Sequence, residues 1–189
     1  MKSMEIYLIF VNTSQNSNKF WCARIELNGS LTVQWGRVGY QAQTKVYKLD
    51  SYQKAINKFN SLIDEKKSKG YIESHPEMNG ERNILEIRRA IELLNVIRRH
   101  VASKNYNDTY LSALNDYLKI VPTPLGMQID FQKVYQTVSE VDYQRELLNS
   151  LLPIVAPQTE SNITSNVNST LESKTVSLRA ISKNFWRTF

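Results

Sequence analysis

The hydrophobic pattern of this chain changes period near residue 50, and that switch constrains the fold more than any other feature. Before it, β-branched and aromatic runs are separated by turn formers. MEIYLIFVN reads as a buried strand, TSQNSN as a polar loop, and KFWCARIEL alternates as a second strand. Asn28-Gly29-Ser30 is a hairpin signal, because Asn-Gly tolerates positive φ at both turn positions. LTVQWGRVGY follows as a third strand, broken by two glycines, and TKVYKL as a fourth. The expectation is an antiparallel meander of about four strands.

Beyond residue 50 the apolar residues step at helical spacing. Ala55, Ile56, Phe59, Leu62 and Ile63 fall on one helix face. Asp50 or Ser51 is placed to cap its start, and Gly70 sits where the helix should stop. Such a helix would cover one face of the sheet and leave the other available for a ligand. ESHPEMNG reads as a linker. A long helix over ERNILEIRRAIELLNVIRRHV and a second over DTYLSALNDYLKIV follow, the second opened by the cap candidate Asp108. PTPLG breaks the chain, and DFQKVYQTV and EVDYQRELLNSLLPIV look like two more short helices. The fold class expected is α+β: a small antiparallel meander with one covering helix over residues 1–75, then an all-α unit over 76–156. Residues 157–176 are rich in Ser, Thr and Asn and read as a flexible polar linker, and 177–189 as a basic, aromatic C-terminal segment.

The net charge is +6, and it is unevenly spread. Residues 1–75 hold 11 basic and 6 acidic side chains, whereas residues 76–157 hold 9 and 10. The surplus therefore lies in the sheet segment and raises the expectation of a polyanionic partner there. Cys22 is the only cysteine, so no internal disulfide forms, which fits a reducing compartment. The N-terminal apolar run from Ile6 to Val11 is too short for a signal-peptide core or a membrane span. A soluble, cytoplasmic protein is expected, nucleoid-associated if it binds DNA.

Within five residues, Trp35-Gly36-Arg37-Val38-Gly39 combines a large aromatic surface, a guanidinium and two small residues. Stacking of an aromatic side chain on a base is worth about 1–3 kcal/mol. Basic neighbours release phosphate counterions and add affinity without reading sequence. Glycines beside such a platform remove side chains that would hold a ligand off.

These residues resemble a known family. NKFWCARIEL, then LTVQWGRVGYQAQTKVY, then SYQKAINKFNSLIDEKKSKGY are similar to the WGR domain, named for its Trp-Gly-Arg motif. The resemblance spans roughly residues 4–75. The domain occurs in poly(ADP-ribose) polymerases that respond to DNA breaks and in bacterial proteins. In the DNA-dependent polymerases it grips the end of a broken duplex near the 5′ terminus. The resemblance implies that Trp35 stacks on a terminal nucleotide and that Arg37 is the motif arginine, with Asn18 and Lys19 on the neighbouring strand start. Gly36 and Gly39 would let the backbone approach closely. Lys45 and Lys48 follow the motif as peripheral phosphate contacts. DNA repair is the pathway the resemblance suggests.

Each of these residues has a structural reading beside the functional one. Trp35 also fits a core tryptophan packed under the helix. Arg37 also fits a contact between domains, as the motif arginine serves in the polymerases. Asn18 also fits a loop cap. Lys66, Lys67 and Lys69 fit a solvated helix end favoured by the helix dipole, and Arg98, Arg99 and Lys104 fit the same description on the long helix.

The second half has a faint look of the helical regulatory domain of those polymerases, where a Pro-Leu-Gly turn precedes a helix. The polymerase catalytic domain is not expected: about 30 residues remain after the helices, too few for a domain of that kind. His75 and His100 are too few and too scattered for a metal site, Cys22 has no histidine beside it, and no phosphate-binding glycine loop occurs. The expectation is a non-enzyme without cofactor or metal, a monomer that binds DNA at ends, nicks or similar discontinuities. The helical unit, or Phe185, Trp186 and Phe189 near the C-terminus, would dock a protein partner. The alternative is a protein-interaction adaptor that uses the Trp-Gly-Arg face for protein contact.

Overall fold

The computed structural model describes residues 4–26, 28–75 and 81–152, with side chains from residue 84 onward in the last stretch. Four strands form the expected meander: β1 (Met4–Asn12), β2 (Ser17–Ile25), β3 (Leu31–Arg37) and β4 (Gln43–Tyr47). A two-residue strand, β5 (Ile72–Glu73), adds to the free edge of β1 and makes the sheet five-stranded, in the order β4-β3-β2-β1-β5. Every neighbouring pair is antiparallel. β5, at two residues, is too short to leave a periodic signal in the sequence. At the β2–β3 turn Gly29 takes φ +80, and the Asn28 side chain accepts from the Ser30 amide at 2.9 Å.

Helix α1 (Tyr52–Ser68) begins at Ser51, whose hydroxyl accepts from the Lys54 amide at 3.2 Å. It ends where Gly70 turns into the left-handed region at φ +85. α2 (Glu81–Ser103), α3 (Asp108–Ile120) and α4 (Val138–Asn149) follow, and α2 packs on both α3 and α4. The cap of α3 is Asn107 and not the expected Asp108: its side chain accepts from the Tyr110 amide at 3.1 Å. Asp108 lies in the first turn, where a carboxylate still favours the helix dipole.

The two further helices expected after the Pro-Leu-Gly break reduce to one. Residues 130–137 form turns, because side chains take over the backbone groups that a helix would pair. Asp130 accepts from the Gln132 amide at 3.1 Å, Glu140 accepts from the Gln136 amide at 2.8 Å, and the Tyr110 hydroxyl donates to the Phe131 carbonyl at 2.8 Å.

The pleat sorts the sheet into two apolar faces. Leu8, Trp21, Ala23, Ile25, Leu31 and Val33 pack against Ala55, Phe59 and Ile63 of α1. Ile9, Val11, Phe20 and Val38 point the other way and share a core with Ile87, Leu94, Ile97, Tyr110, Leu114 and Tyr117. The expectation that the second sheet face stays open for a ligand is therefore overturned over β1 and β2, where α3 packs against β1. The cause is legible in the strands: β1 and β2 are apolar on both faces, and each fully buried side chain contributes about 1.5–3 kcal/mol when covered.

Candidate nucleic-acid interface

β2 and β3 pair so that Trp21 lies opposite Trp35 and Lys19 opposite Arg37. In an antiparallel pair, directly opposed side chains share a face. Trp21 is buried under α1, only 2% exposed, whereas Trp35 at the far end of the strand is half-buried. Trp35 packs on the edge of the α1-side core and keeps part of its ring toward solvent. The core reading thus holds for part of this side chain, and the rest is exposed. On the other side Trp35 is opposed by Gln43, and Val33 by Lys45, so Lys45 stands on the same face. Lys19, Lys45 and Lys48 are exposed, and among the described residues none of them forms an ion pair. The structure therefore brings Trp35, Lys19 and Lys45 onto the α1 side of the sheet, where the two lysines are exposed and Trp35 is half-buried, with Lys48 just after the end of β4.

The remaining motif residues turn to a different task. The loop between α3 and α4 crosses the end of the β2–β3 ladder, and the Trp-Gly-Arg-Val-Gly turn clasps it. Arg37 donates from Nε to the Gly126 carbonyl at 2.6 Å and from its two terminal nitrogens to the Asn16 carbonyl at 3.0 Å and Asn16 Oδ1 at 2.8 Å. Asn16 in turn donates to the Met127 carbonyl at 3.1 Å and accepts from the Ile129 amide at 2.9 Å. Asn18 is fully buried and donates to the Thr123 carbonyl at 2.8 Å.

The two glycines differ in their surroundings. Gly39 takes φ +86, and a Cβ on it would lie 2.5 Å from the Pro124 Cβ. A Cβ on Gly36 would meet the Phe20 ring and the Gln41 carbonyl at 3.5 Å. The close approach at Gly39 is therefore made by the protein's own loop. Of the eight residues expected at a DNA surface, Arg37, Asn18 and Gly39 are engaged within the chain in this structure, whereas a side chain at Gly36 would make only ordinary contacts. The sequence carried the clue in its Pro-Thr-Pro-Leu-Gly break, but nothing in spacing told which surface that loop would meet. Asn16 and Pro124 went unnoticed for the same reason.

The lysines at the end of α1 behave as a solvated helix terminus: Lys69 binds Glu65 at 2.6 Å, and Lys67 lies 4.0 Å from Glu73. Groups with displaced protonation lie elsewhere. Burial pushes Tyr110, Tyr117 and Tyr135 above the usual tyrosine range, and the hydrogen bond from Arg98 holds Asp142 below the usual carboxylate range. His75 sits between Glu73 at 3.5 Å and Glu86 at 3.4 Å. No cluster of three or more metal-ligating side chains occurs among the described residues, and no described helix is long and apolar enough to cross a membrane. Phe185, Trp186 and Phe189 lie outside the described residues.

A family model for the WGR domain matches residues 4–78. Among solved structures, a protein from Bacteroides fragilis is similar at 31% identity with a TM-score of 0.34, over 37% of this chain and 19% of its own length. The chain thus spans about a fifth of that protein. No curated protein matches. A WGR domain is a non-catalytic binding module, and its use by polymerase-like proteins to bind nucleic acid supports a general role in DNA binding. Residues 4–78 of this chain are a WGR domain.

Proposed function

We propose that this chain recognises DNA ends, nicks or similar discontinuities through the Trp35 face, without catalysis of its own. The observation that carries the reading is a half-buried Trp35 flanked on one face by exposed, unpaired Lys19 and Lys45. Only a discontinuity exposes a base pair with no stacking neighbour, and an aromatic ring anchored at its base offers that neighbour at little entropic cost. The lysines supply backbone affinity that is indifferent to sequence. In this reading the helical segment, or residues 177–189, docks a protein partner.

The test is fluorescence anisotropy of the protein with a blunt-ended duplex, a nicked duplex, a single strand and a covalently closed circle. Ends or nicks should bind more tightly than the circle, and Trp35→Ala should remove that preference while thermal melting shows a folded protein. Equal affinity for the closed circle and the blunt duplex would sink end recognition.

A second reading has its own observation. Arg37, Asn18 and Gly39 already serve contact between protein segments, as an adaptor built on this face would require. Salt separates the two. Binding through several phosphates weakens steeply between low and moderate salt, whereas a tryptophan-centred protein contact changes little.

A further inference from the structure

Tyr47 ends β4 opposite Leu31, on the same sheet face as Trp35. Two ammonium groups sit over its ring. Lys45 Nζ lies 4.7 Å from the ring centroid, and Lys58 Nζ, arriving from α1, lies 5.7 Å away. A strand and a helix thus deliver two like charges to one aromatic ring. Each contact is attractive, and repulsion between the two cations opposes it. Neither lysine has a carboxylate within ion-pair distance among the described residues. Lys54 and Lys69 on the same helix do have one, in Asp50 and Glu65. Two localised cations without an anion are an incomplete arrangement, and the group that completes it carries negative charge.

We propose that Lys45 and Lys58, held on the Tyr47 ring, form a binding position for a phosphodiester of the nucleic-acid backbone. Tyr47 is a positioning residue: its ring restricts both long side chains before the phosphate arrives, so less rotamer freedom is lost on binding. On the exposed edge strand β4, Tyr47 is four residues from Gln43, which opposes Trp35, or about 13 Å. A backbone that tracks the strand covers that length in about four nucleotides at 3.4 Å each. The terminal nucleotide would rest on Trp35 and a phosphate a few nucleotides inward on this pair. The proposal depends on nucleic-acid binding by the Trp35 face, so its test is built to separate the two.

The experiment titrates the full chain, Lys58→Ala, Tyr47→Phe, Tyr47→Leu and Trp35→Ala against a blunt-ended duplex over a series of salt concentrations. Lys58→Ala, on an exposed helix position, should weaken binding about three- to tenfold and make the log–log salt slope shallower by about one. Tyr47→Phe keeps the ring and should bind like the parent, whereas Tyr47→Leu should resemble Lys58→Ala. A methylphosphonate placed in turn at each of the first several phosphates should weaken the parent at one position and leave Lys58→Ala unaffected there. Parent-like affinity and slope in Lys58→Ala, alongside lost binding in Trp35→Ala, would overturn this position and leave the Trp35 face standing. Failure of the parent itself to bind any duplex would overturn both.

Discussion

Gly39 and Pro124 are in contact so close that no side chain fits between them: a Cβ on Gly39 would stand 2.5 Å from the Pro124 Cβ and 2.6 Å from its Cγ. The last residue of the Trp-Gly-Arg-Val-Gly turn is therefore shaped by the loop that follows α3. Gly39→Ala should destabilise the protein by about 2–4 kcal/mol, from the positive φ and the overpacking together. Urea denaturation measures this. Pro124→Gly in the same chain should recover the steric part and leave the backbone part, so the double variant should be more stable than Gly39→Ala alone.

Arg37 donates a fork of three hydrogen bonds, one to the Gly126 carbonyl of the same loop and two to Asn16, which itself bonds Met127 and Ile129 of that loop. Lysine cannot reproduce that fork, because its single ammonium has no fixed planar geometry. Arg37→Lys should lower stability by about 1–2 kcal/mol. Hydrogen exchange should locate the loss, with faster exchange at Ile129, whose amide is held by Asn16, and little change in the amides of α2.

Asp142 lies 2.9 Å from both Arg98 Nε and Arg145 Nη2, and so ties α4 to α2. Its pKa is lowered, first by the Arg98 hydrogen bond and then by the charges of Arg98 and Arg145 against a desolvation that raises it. A group with a lowered folded pKa stabilises above its unfolded value and loses that contribution as pH falls through the folded one. Stability should therefore decline below about pH 4. Asp142→Asn should flatten that part of the profile in a series of thermal melts.

Tyr110, Tyr117 and Tyr135 give the opposite limb. Burial raises all three, so their contribution is complete below the unfolded tyrosine value of about 10 and is lost as pH rises beyond it. Alkaline titration followed by absorbance should show three late tyrosines that ionise together with loss of helical circular dichroism. Ionisation at about pH 10 with the helices intact would contradict this burial.

The meander and α1 are legible in the sequence because their signals are local. Alternation placed Leu8, Trp21 and Val33 on one face, Ser51 capped the helix, and Gly70 stopped it. The turn at 130–137 was not legible, since Phe131, Val134 and Tyr135 keep a helical spacing although the backbone is held by Asp130, Glu140 and Tyr110. Asn107 and Asp108 are both good caps, and only the path of the chain into α3 chose between them.

For the candidate site the division is sharper. Residue chemistry alone determined that Trp35 and the lysines around it form an aromatic and basic constellation. It also determined that residues 1–75, and not residues 76–157, hold the surplus charge. Tertiary structure decided which motif residues remain available. Arg37, Asn18 and Gly39 are spent on a loop more than 80 residues away in sequence, as in the bond from Arg37 to Gly126 at a separation of 89. Lys58 reaches Tyr47 only because α1 folds back over the sheet. Periodicity and turn chemistry act over a few residues, whereas a long-range contact depends on where independently specified elements come to rest, and no local pattern records that.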